Sequence, residues 1–323
     1  MKAIVQDVYG NSDVLQLRDI PKPVPGEGEV LIRVRAAGVD QGVWHLMTGR
    51  PYLVRLFGFG LKKPKVPVRG REVAGVVEAV GAGVTRFEPG DEVFGTCEGS
   101  FAEFVCAKEN LVAAKPANLT FEESAVAPIS GVTALQAVRD AGQIGAGQKV
   151  LVIGAGGGVG SFAVQVAKAL GAEVTGVCST GKVELVRSLG ADHVIDYTLD
   201  DFALAGVLYD VILDTAGNRP LSVLRKALTP RGILVIVGGE GGGNLTGGFE
   251  RSMGAPLVSL FSGQKFKGLV STENYHDLEA LTTLIEAGSV KPAVDEVYAL
   301  VEAPAAVEHM HEGRSRGKVV VSI

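Results

Sequence analysis

A glycine-rich turn between a strand-like run and a helix-like run constrains the fold of this chain most strongly. Residues 150–167 carry no charged side chain and read VLVIGAGGGVGSFAVQVA. Their length and apolar character resemble those of a membrane span. However, four glycines within residues 155–161 would interrupt a spanning helix. A buried strand, a tight turn and a helix fit better, so we expect neither a membrane segment nor a membrane partner.

Alternating apolar strands and helices surround this turn, from about residue 126 to residue 267. The strands are rich in Val, Ile and Leu along their whole length, which is typical of a parallel sheet buried on both faces. We therefore expect an α/β domain here. The predicted strands lie at 150–153, 174–178, 193–196, 211–213 and 233–237, and the predicted helices at 159–171, 183–189 and 221–228.

The flanking parts of the chain have a different pattern, with short strands and turns in place of alternating strands and helices. Short β-branched runs at 30–34 and 73–80, a third strand beginning in PGDEVFG at 89–95, and a short helix at 41–47 predict a β-rich domain. The last pieces resemble this domain, with a helix at 276–287 and strands at 294–300 and 319–323. We expect one domain from residues 1–125 and 268–323, and the other from residues 126–267.

Bulk composition mainly excludes classes of function. The 31 basic and 36 acidic residues give a net charge of −5, and no Lys/Arg block suggests a nucleic-acid partner. Three cysteines without CxxC spacing suit a reducing compartment and predict no disulfide framework. The N-terminus reaches Asp7 before an apolar signal core can form, so we expect a cytoplasmic protein. The ten residues 239–248 include six glycines and suggest a mobile loop.

The turn itself has the spacing of a dinucleotide-binding fingerprint, GxGxxG, with alanine in the first place. It follows a predicted strand and opens a predicted helix, where glycine lets backbone N–H groups approach a pyrophosphate. The alternative is a merely tight strand-to-helix turn. The candidate pyrophosphate-binding residues are Ala155, Gly157, Gly158, Val159 and Gly160.

The end of the second predicted strand bears on the choice between NAD and NADP. No carboxylate follows Cys178 at the place where one would hold a ribose hydroxyl. Ser179, Thr180 and Lys182 follow instead, and hydroxyls with a lysine suit a 2′-phosphate. The sequence therefore favours NADPH. Ser179 and Thr180 could also cap the next helix, and both roles are compatible.

In this order, the motifs of the chain resemble the medium-chain dehydrogenase/reductase superfamily, and within it the zinc-independent quinone oxidoreductase branch. The resemblance implies a GroES-like β-rich catalytic domain and a Rossmann domain with a doubly wound parallel sheet. It also implies a homodimer. It covers nearly the whole chain, through the segments PKPVPGEGEVLIRVRAAGVD at 21–40, REVAGVVEAVGAGVTRFEPGDEVFG at 71–95, SFAEFVCAKENLVAAKP at 100–116, SGVTAL at 130–135, GAGGGVG at 154–160, LGADHVIDY at 189–197 and GKVVVSI at 317–323.

The positions that hold catalytic zinc in the metal-dependent members of that superfamily correspond here to Asp40, Arg71 and approximately Ile129. Neither a guanidinium nor an isoleucine side chain can serve as a ligand, and a catalytic zinc needs three protein ligands. We expect no metal. Cys97 and Cys106 stand where a structural zinc lobe would need four cysteines, and we expect them to be packing residues.

Without zinc, the resemblance implies reduction of quinones or α,β-unsaturated carbonyls, whose acceptor carbon is already activated. The alternatives are an NADP-dependent alcohol dehydrogenase-like enzyme and a non-catalytic NADPH-binding sensor.

The candidate catalytic residues are Tyr52, as a hydrogen-bond or proton donor, and Asp40. Asp40 could instead cap the helix that starts at Gln41. His45 falls where some zinc enzymes carry a proton relay, and we expect it to be an ordinary helix residue.

On the cofactor side, the resemblance places Thr133 near the nicotinamide and Tyr197 near the 2′-phosphate. The loops at 215–217 and 237–239 follow predicted parallel strands, whose carboxyl ends bind ligands in open α/β sheets. From these loops we assign Thr215, Val237, Gly238 and Gly239 to the cofactor site. The apolar segment 51–68 is either a mobile cover over a substrate cleft, which would favour a bulky apolar acceptor, or a packed helix.

Overall fold

The computed structural model describes residues 1–53, 55–239, 243, 245–248, 251–252, 254–255, 259 and 263–323, without the side chains at 57 and 58. Across these residues, no helix is both long and apolar enough to cross a membrane. Residues 240–242 and 244, within the loop predicted at 239–248, lie outside the described residues.

The chain divides into two compact units. Unit 1 contains residues 1–132, 273–286 and 292–323, and unit 2 contains residues 133–272 and 287–291. The sequence-based boundaries, at 125/126 and 267/268, lie within seven residues of these divisions.

The strands and helices are numbered in chain order. The strands are β1 (Lys2–Val5), β2 (Gln16–Asp19), β3 (Glu29–Val39), β4 (Glu72–Val80), β5 (Glu92–Thr96), β6 (Phe104–Lys108), β7 (Val112–Ala114), β8 (Lys149–Ile153), β9 (Glu173–Cys178), β10 (His193–Asp196), β11 (Tyr209–Asp214), β12 (Leu228–Ile236), β13 (Lys265–Gly268), β14 (Val294–Ala299) and β15 (Lys318–Ser322). The helices in the described residues are α1 (Gln41–Thr48), α2 (Phe121–Ala125), α3 (Pro128–Gln136), α4 (Gly158–Ala169), α5 (Val183–Ser188), α6 (Leu221–Lys226), α7 (Tyr275–Glu286) and α8 (Ala303–His311).

Unit 2 is built on a parallel sheet with the strand order β10-β9-β8-β11-β12-β13. This confirms the doubly wound α/β fold. The chain leaves β8 for β9 on one side and continues to β11 on the other, so the strand order reverses beside β8. Such a reversal is where an open α/β sheet binds its ligands. The residues that pack the central strands, among them Leu151, Ile212 and Leu234, are fully buried.

Strand β12 is longer than the predicted 233–237. It begins at Leu228 and runs through Pro230 and Gly232, two residues that indicate a turn when they are read locally. The extra length contains an irregularity in register: Tyr209 of β11 pairs with Leu228, whereas Val211 pairs with Ile233. A bulge therefore absorbs the proline and the glycine without ending the strand.

Unit 1 contains a mainly antiparallel sheet with the order β14-β15-β3-β4-β5-β7, and β6 also pairs with β3. The tail of the chain returns here, because β15 lies antiparallel to β3 with Val319 opposite Val39. Strand β3 has eleven residues, against five predicted at 30–34. The buried faces of these strands form the core of the unit.

A buried ion pair connects the last strand of unit 1 to β4. The Lys318 ammonium donates to the Glu72 carboxylate over 2.6 Å and to the Ser130 hydroxyl over 3.1 Å. The two charged side chains are 3% and 0% exposed, and the backbone N–H of Ile129 also donates to Glu72. Burial raises the pKa of the Glu72 carboxyl, and Lys318 opposes that effect. The two charges can be buried together because each is the counter-charge of the other and they share a hydrogen bond.

In the described part of segment 51–68, the helical residues are Leu53 and the π-helical turn Arg55–Phe59, and Val54 lies outside that part. Val68, at the end of the segment, forms an isolated antiparallel bridge with Val5. The alternative of a packed helix is therefore seen only near the start of the described segment, and the mobile cover stays a prediction.

Candidate functional site

The turn after β8 is held against the end of β9 by the backbone. The N–H groups of Gly154 and Ala155 both donate to the Val177 carbonyl over 3.0 Å. Gly154 has φ of +84°, a conformation that glycine adopts without steric cost. The turn therefore ends beside the second strand of the sheet, where the fingerprint predicted it.

Helix α4 starts at Gly158 and approaches this turn very closely. A Cβ atom at Gly160 would overlap the Gly154 carbonyl oxygen, so only glycine fits there. The first N–H groups of a helix have no acceptor within it, and together they attract an anion. The first turn of α4 holds no acidic side chain that would compete for them. The predicted residues Ala155, Gly157, Gly158, Val159 and Gly160 thus surround one set of backbone donors.

The loops after β11 and β12 meet at the same edge of the sheet. A Cβ atom at Gly238 would overlap the Thr215 carbonyl oxygen, and one at Gly217 would lie 2.5 Å from the Gly238 carbonyl oxygen. The Thr215 hydroxyl donates to the Ile153 carbonyl over 2.7 Å, which ties this loop to the end of β8.

Val237 and Gly239 flank the close approach at Gly238. The Val237 N–H donates to the Asp214 carbonyl over 2.9 Å, and Gly239 lies against Gly247. The predicted residues Thr215, Val237, Gly238 and Gly239 are therefore gathered at one edge, next to the glycine-rich turn.

Lys182 lies directly against the glycine-rich turn. A Cβ atom at Gly156 would be 2.8 Å from both Cβ and Cδ of Lys182, so the lysine stem packs over the turn. Ser179 and Lys182 enclose a short turn in which the Lys182 N–H donates to the Ser179 carbonyl over 2.9 Å. The stem of a cationic side chain thus lies against the turn that carries the backbone donors.

A carboxylate that the sequence did not indicate lies beside this lysine turn. Asp196 is the register partner of Cys178 across β9 and β10. Hydrogen bonds from Thr180 and Thr198 lower the pKa of the Asp196 carboxyl, with Thr180 the larger contributor. The Thr198 hydroxyl lies 2.7 Å from Asp196 and 2.9 Å from the Thr180 hydroxyl. The prediction of the 2′-phosphate site considered the residues that follow β9. Asp196 comes from the neighbouring strand β10, and its local sequence does not show that it lies beside those residues.

Two other predicted cofactor residues also lie in unit 2. Tyr197 is 54% exposed at the end of β10, and its N–H donates to the Cys178 carbonyl over 3.0 Å. Thr133 is buried, and its hydroxyl donates to the Ser271 hydroxyl over 3.0 Å. Ser271 was not indicated by the sequence. Tyr197 therefore keeps an accessible side chain beside the lysine turn, whereas Thr133 is held in a hydrogen-bonded pair.

In unit 1, Asp40 is the N-cap of α1. Its Oδ1 accepts the Val43 N–H over 3.2 Å, and its buried Oδ2 has no hydrogen-bond partner among the described residues. The Arg71 guanidinium lies nearby. Burial lowers the pKa of Arg71, but Asp40, Glu273 and Glu72 outweigh that effect and raise it overall. Asp40 thus has the capping role that was the alternative to catalysis, with one oxygen left over.

Tyr52 and His45 lie on either side of the end of α1. Tyr52 is 42% exposed, and its ring lies 4.9 Å from the guanidinium carbon of Arg55. The His45 Nδ1 lies 2.8 Å from the Arg50 carbonyl oxygen, which can only accept a hydrogen bond. His45 therefore carries its proton on Nδ1 and stabilises the end of the helix.

The places that correspond to zinc ligands hold groups with other partners. Asp40 caps a helix, Arg71 forms an ion pair with Glu273, and the Ile129 backbone donates to Glu72. Throughout the described residues, no group of three His, Cys, Asp or Glu side chains could hold a metal ion.

None of the cysteine thiols is activated. Burial raises the pKa of all three, to about 11 for Cys106 and also above the ordinary value for Cys97 and Cys178. Cys97 packs within the core of unit 1. A thiol must ionise to act as a nucleophile or a metal ligand, so all three are unreactive near neutral pH.

A cavity of about 300 Å³ lies within unit 1, next to α1 and to the start of β4. Val43, Leu46 and Phe59 contribute apolar walls, while Lys65, Arg69, Arg71 and Glu98 contribute charges. Arg69 was not predicted as a site residue, because the apolar segment was taken to end at residue 68. The local sequence shows only that Arg69 is a charged residue between an apolar run and Gly70.

Two family models match the chain. One, described as an alcohol dehydrogenase GroES-like domain, matches residues 26–117. The other, described as a zinc-binding dehydrogenase, matches residues 189–321.

Curated relatives match almost the whole chain. An NAD(P)H oxidoreductase of Mus musculus, named as mitochondrial, is 32% identical and covers 100% of this chain and 89% of the relative. A chloroplastic quinone oxidoreductase of Triphysaria versicolor is 33% identical, with 99% and 98% covered. A 2-methylene-furan-3-one reductase of Solanum lycopersicum is 34% identical, with 99% and 79% covered.

The chain belongs to the medium-chain dehydrogenase/reductase superfamily, in its quinone oxidoreductase-like group. Membership makes it an oxidoreductase with a nicotinamide cofactor and confirms the GroES-like and Rossmann folds.

Solved structures of this superfamily agree with the fold over the whole chain. A quinone oxidoreductase from Coxiella burnetii has a TM-score of 0.85 at 28% identity and covers 100% of this chain and 99% of its own. An NAD-dependent alcohol dehydrogenase has a TM-score of 0.86 at 30% identity, with 100% of both chains covered. A mycobacterial protein in complex with NADPH has a TM-score of 0.83 at 27% identity, also with 100% of both covered.

Proposed function

We propose that this superfamily member is an NADPH-dependent, zinc-independent reductase of quinones or α,β-unsaturated carbonyls. The observation that carries the proposal is the packing of Lys182 over Gly156 in the glycine-rich turn. A lysine ammonium and the hydroxyls of Ser179 and Thr180 favour the dianionic 2′-phosphate that distinguishes NADPH from NADH. Asp196 opposes this preference, but two threonine hydroxyls already engage its carboxylate.

When bound, the nicotinamide supplies a hydride, which together with one proton converts an enone into the saturated carbonyl, or a quinone into the hydroquinone, and leaves NADP⁺. The backbone donors at the start of α4 hold the pyrophosphate. The loops that contain Thr215 and Gly238 hold the rest of the dinucleotide along the sheet edge.

The chain then has to stabilise the negative charge that develops on the acceptor oxygen. Tyr52 is the proposed donor, because its phenol is exposed and can give a hydrogen bond or a proton. Asp40 stays a predicted site residue. Its Oδ1 caps helix α1, and its Oδ2 has no hydrogen-bond partner among the described residues. The Arg71 guanidinium lies close to this carboxylate. No activated cysteine is required.

The proposed independence from zinc rests on the chemistry of the three corresponding positions. A guanidinium has no lone pair to donate and repels a cation, and the isoleucine side chain at position 129 has no donor atom. Only Asp40 could be a ligand, and its Oδ1 already accepts from the backbone. These residues do not fit a catalytic zinc.

The names of two relatives support the proposed acceptor class. One is named as a quinone oxidoreductase and another as a 2-methylene-furan-3-one reductase, whose named substrate is a conjugated enone. A shared preference for activated acceptors is consistent with a site that lacks a Lewis acid.

The Lys182→Gln variant tests the cofactor assignment. We expect its Kd for NADPH to rise about tenfold, because it loses a charge-assisted contact, while its Kd for NADH changes less than about twofold. The matched control is Lys149→Gln, which removes an exposed lysine at the opposite end of β8. Equal effects of Lys182→Gln on both cofactors would contradict the assignment to the 2′-phosphate.

Acceptor assays test the reaction. We expect the wild-type protein to oxidise NADPH with small quinones and enones, at a rate that a zinc chelator leaves unchanged. Oxidation of secondary alcohols with NADP⁺ would favour the alcohol dehydrogenase alternative. Tight NADPH binding without turnover of any acceptor would favour the sensor.

The cytoplasmic location and the homodimer stay predictions.

A further inference from the structure

The Arg69 side chain is an unusual feature of the unit 1 cavity. Arg69 is 5% exposed, and no described residue forms an ion pair or a side-chain hydrogen bond with it. Its Nε atom is buried without a hydrogen-bond partner among the described residues. Burial lowers the pKa of its guanidinium to about 10, so Arg69 remains cationic at neutral pH. A buried cation without a partner is unfavourable in a protein interior and calls for a counter-charge.

The other charges in the cavity wall do not supply that counter-charge. Arg71 has its own partners, because it forms an ion pair with Glu273 and lies near Asp40. Glu98 attracts Arg69 but is exposed and does not reach ion-pair distance among the described residues. Lys65 adds another positive charge to the lining. Apart from the paired Arg71, the wall therefore holds two cations against one exposed carboxylate, and Arg69 is the more buried of the two cations.

A neutral donor lies behind Gly70, the residue that follows Arg69 in the cavity wall. The Ser100 hydroxyl is buried without a hydrogen-bond partner among the described residues, and it lies so close to Gly70 that a Cβ atom there would overlap it. A guanidinium and a hydroxyl together match the acceptor oxygens of a carboxylate.

We infer that the unit 1 cavity binds the carboxylate of an acidic substrate through Arg69. This inference rests on the proposed function and deepens it: the preferred acceptor is a quinone or enone that carries a carboxylate on an aliphatic arm. The volume of about 300 Å³ lies at the lower end of small-molecule sites, which suits a compact molecule. The apolar walls at Val43, Leu46 and Phe59 contact the arm, and Arg69 determines the preference for the acid.

A matched pair of substrates tests the inference. In 7-oxo-5-octenoate, saturated carbons separate the carboxylate from the conjugated ketone, so the methyl ester has the same intrinsic reactivity. We expect the wild-type kcat/KM with NADPH to favour the acid over the ester by about 10- to 100-fold, the range for a hydrogen-bonded charge. In Arg69→Gln, the preference should be lost, so that the acid and the ester have equal kcat/KM.

A binding measurement separates this inference from the reaction itself. Calorimetric titration of NADP⁺-loaded protein with 7-oxooctanoate and with its methyl ester needs no turnover. We expect the wild type to bind the acid at least about tenfold more tightly and Arg69→Gln to bind both alike. Arg69→Lys should keep part of the preference because it retains the charge. Arg33→Gln, which removes an exposed arginine of β3, should keep all of it.

The outcomes separate the two hypotheses. Equal wild-type preference for acid and ester, in binding or in turnover, would overturn the carboxylate site and leave the proposed reductase intact. Tighter acid binding that depends on Arg69, without reduction of either substrate, would support the carboxylate site and count against the reductase. Arg69→Gln also removes an uncompensated buried charge, so its Tm should equal or exceed that of the wild type. A markedly lower Tm would mean that Arg69 has an internal partner and would contradict the inference.

Discussion

In the loops after β8, β11 and β12 of unit 2, backbone packs against backbone. Gly160 approaches the Gly154 carbonyl, and Gly238 approaches Thr215, with no room for a side chain. In the unit 1 cavity, charged side chains determine the character of the wall, and Arg69 is the most buried of them. A backbone site suits a ligand that many proteins share, such as a dinucleotide. A side-chain site can change its ligand with one substitution.

The largest expected effect concerns the side-chain contacts of unit 1. Lys318→Met removes one partner of the buried pair and leaves the Glu72 carboxylate without its counter-ion. We expect the free energy of unfolding to fall by about 3–5 kcal/mol. Trp44, the only tryptophan, lies in unit 1, so its fluorescence during urea unfolding measures this change.

Two further variants make that measurement specific. Adding Glu72→Gln to Lys318→Met should recover part of the loss, because the buried charge disappears. Lys2→Met breaks an exposed ion pair with Asp19 and should leave the transition almost unchanged. A double variant less stable than Lys318→Met alone would show that the pair does not act as a unit.

The second effect concerns the backbone site of unit 2. Gly160→Ala forces a methyl group against the Gly154 carbonyl and should push α4 away from the turn. Such overpacking costs about 1–3 kcal/mol, so we expect NADPH affinity to fall about tenfold or more. Gly145→Ala is the control, since it precedes the opposite end of β8 and the nearest atom to its added Cβ, the Gln148 Oε1, lies 4.0 Å away. Unchanged NADPH binding by Gly160→Ala would mean that side chains determine the unit 2 site as well.

The smallest effect is a pH response confined to unit 1. The His311 ring stacks on Trp44 with centroids 3.5 Å apart. Burial, together with the proximity of His45, lowers the pKa of His311 below its ordinary 6.5. The folded state therefore binds this proton more weakly than the unfolded state. The stability it contributes is present above pH 6.5 and is lost as the pH falls through the lowered value.

Trp44 fluorescence measures this response without unfolding. Protonation of the stacked imidazole should quench the emission, with a midpoint below pH 6.5. His311→Gln should abolish the transition, whereas His276→Gln, which changes a histidine whose ring lies tilted against Tyr275, should preserve it. A midpoint above 6.5 in the wild type would contradict the lowered pKa.

Sequence alone was sufficient for the backbone site, because its signals are local. The residues from Gly154 to Gly160 are adjacent in the chain, and their spacing predicts both the turn and the helix that follows. Strand β10, at 193–196, was predicted with its observed bounds, and β8, β9 and α4 to within about two residues. Local apolar runs and glycines determine all of these elements.

The unit 1 cavity could not be predicted in the same way, because its residues come from separate segments. Arg69 lies within the loop before β4, and nothing in its neighbours shows that it is buried beside a cavity rather than exposed. Asp196 next to Thr180 likewise depends on the pairing of two strands. The extension of β12 through Pro230 depends on a bulge against β11. Each of these features follows from tertiary pairing that overrides local preference.

The pairing of β15 with β3 has a consequence for biosynthesis. Glu72 is made 246 residues before the lysine that neutralises it, and residues 36–39 of β3 lack their β15 partner until Lys318–Ser322 is made. Residues 133–272, nearly all of unit 2, leave the ribosome earlier and can complete their sheet while the chain grows. Unit 1 cannot complete its sheet until β15 has been made. A nascent chain stalled before residue 318 would therefore bind dinucleotide and still present an unfinished sheet to chaperones.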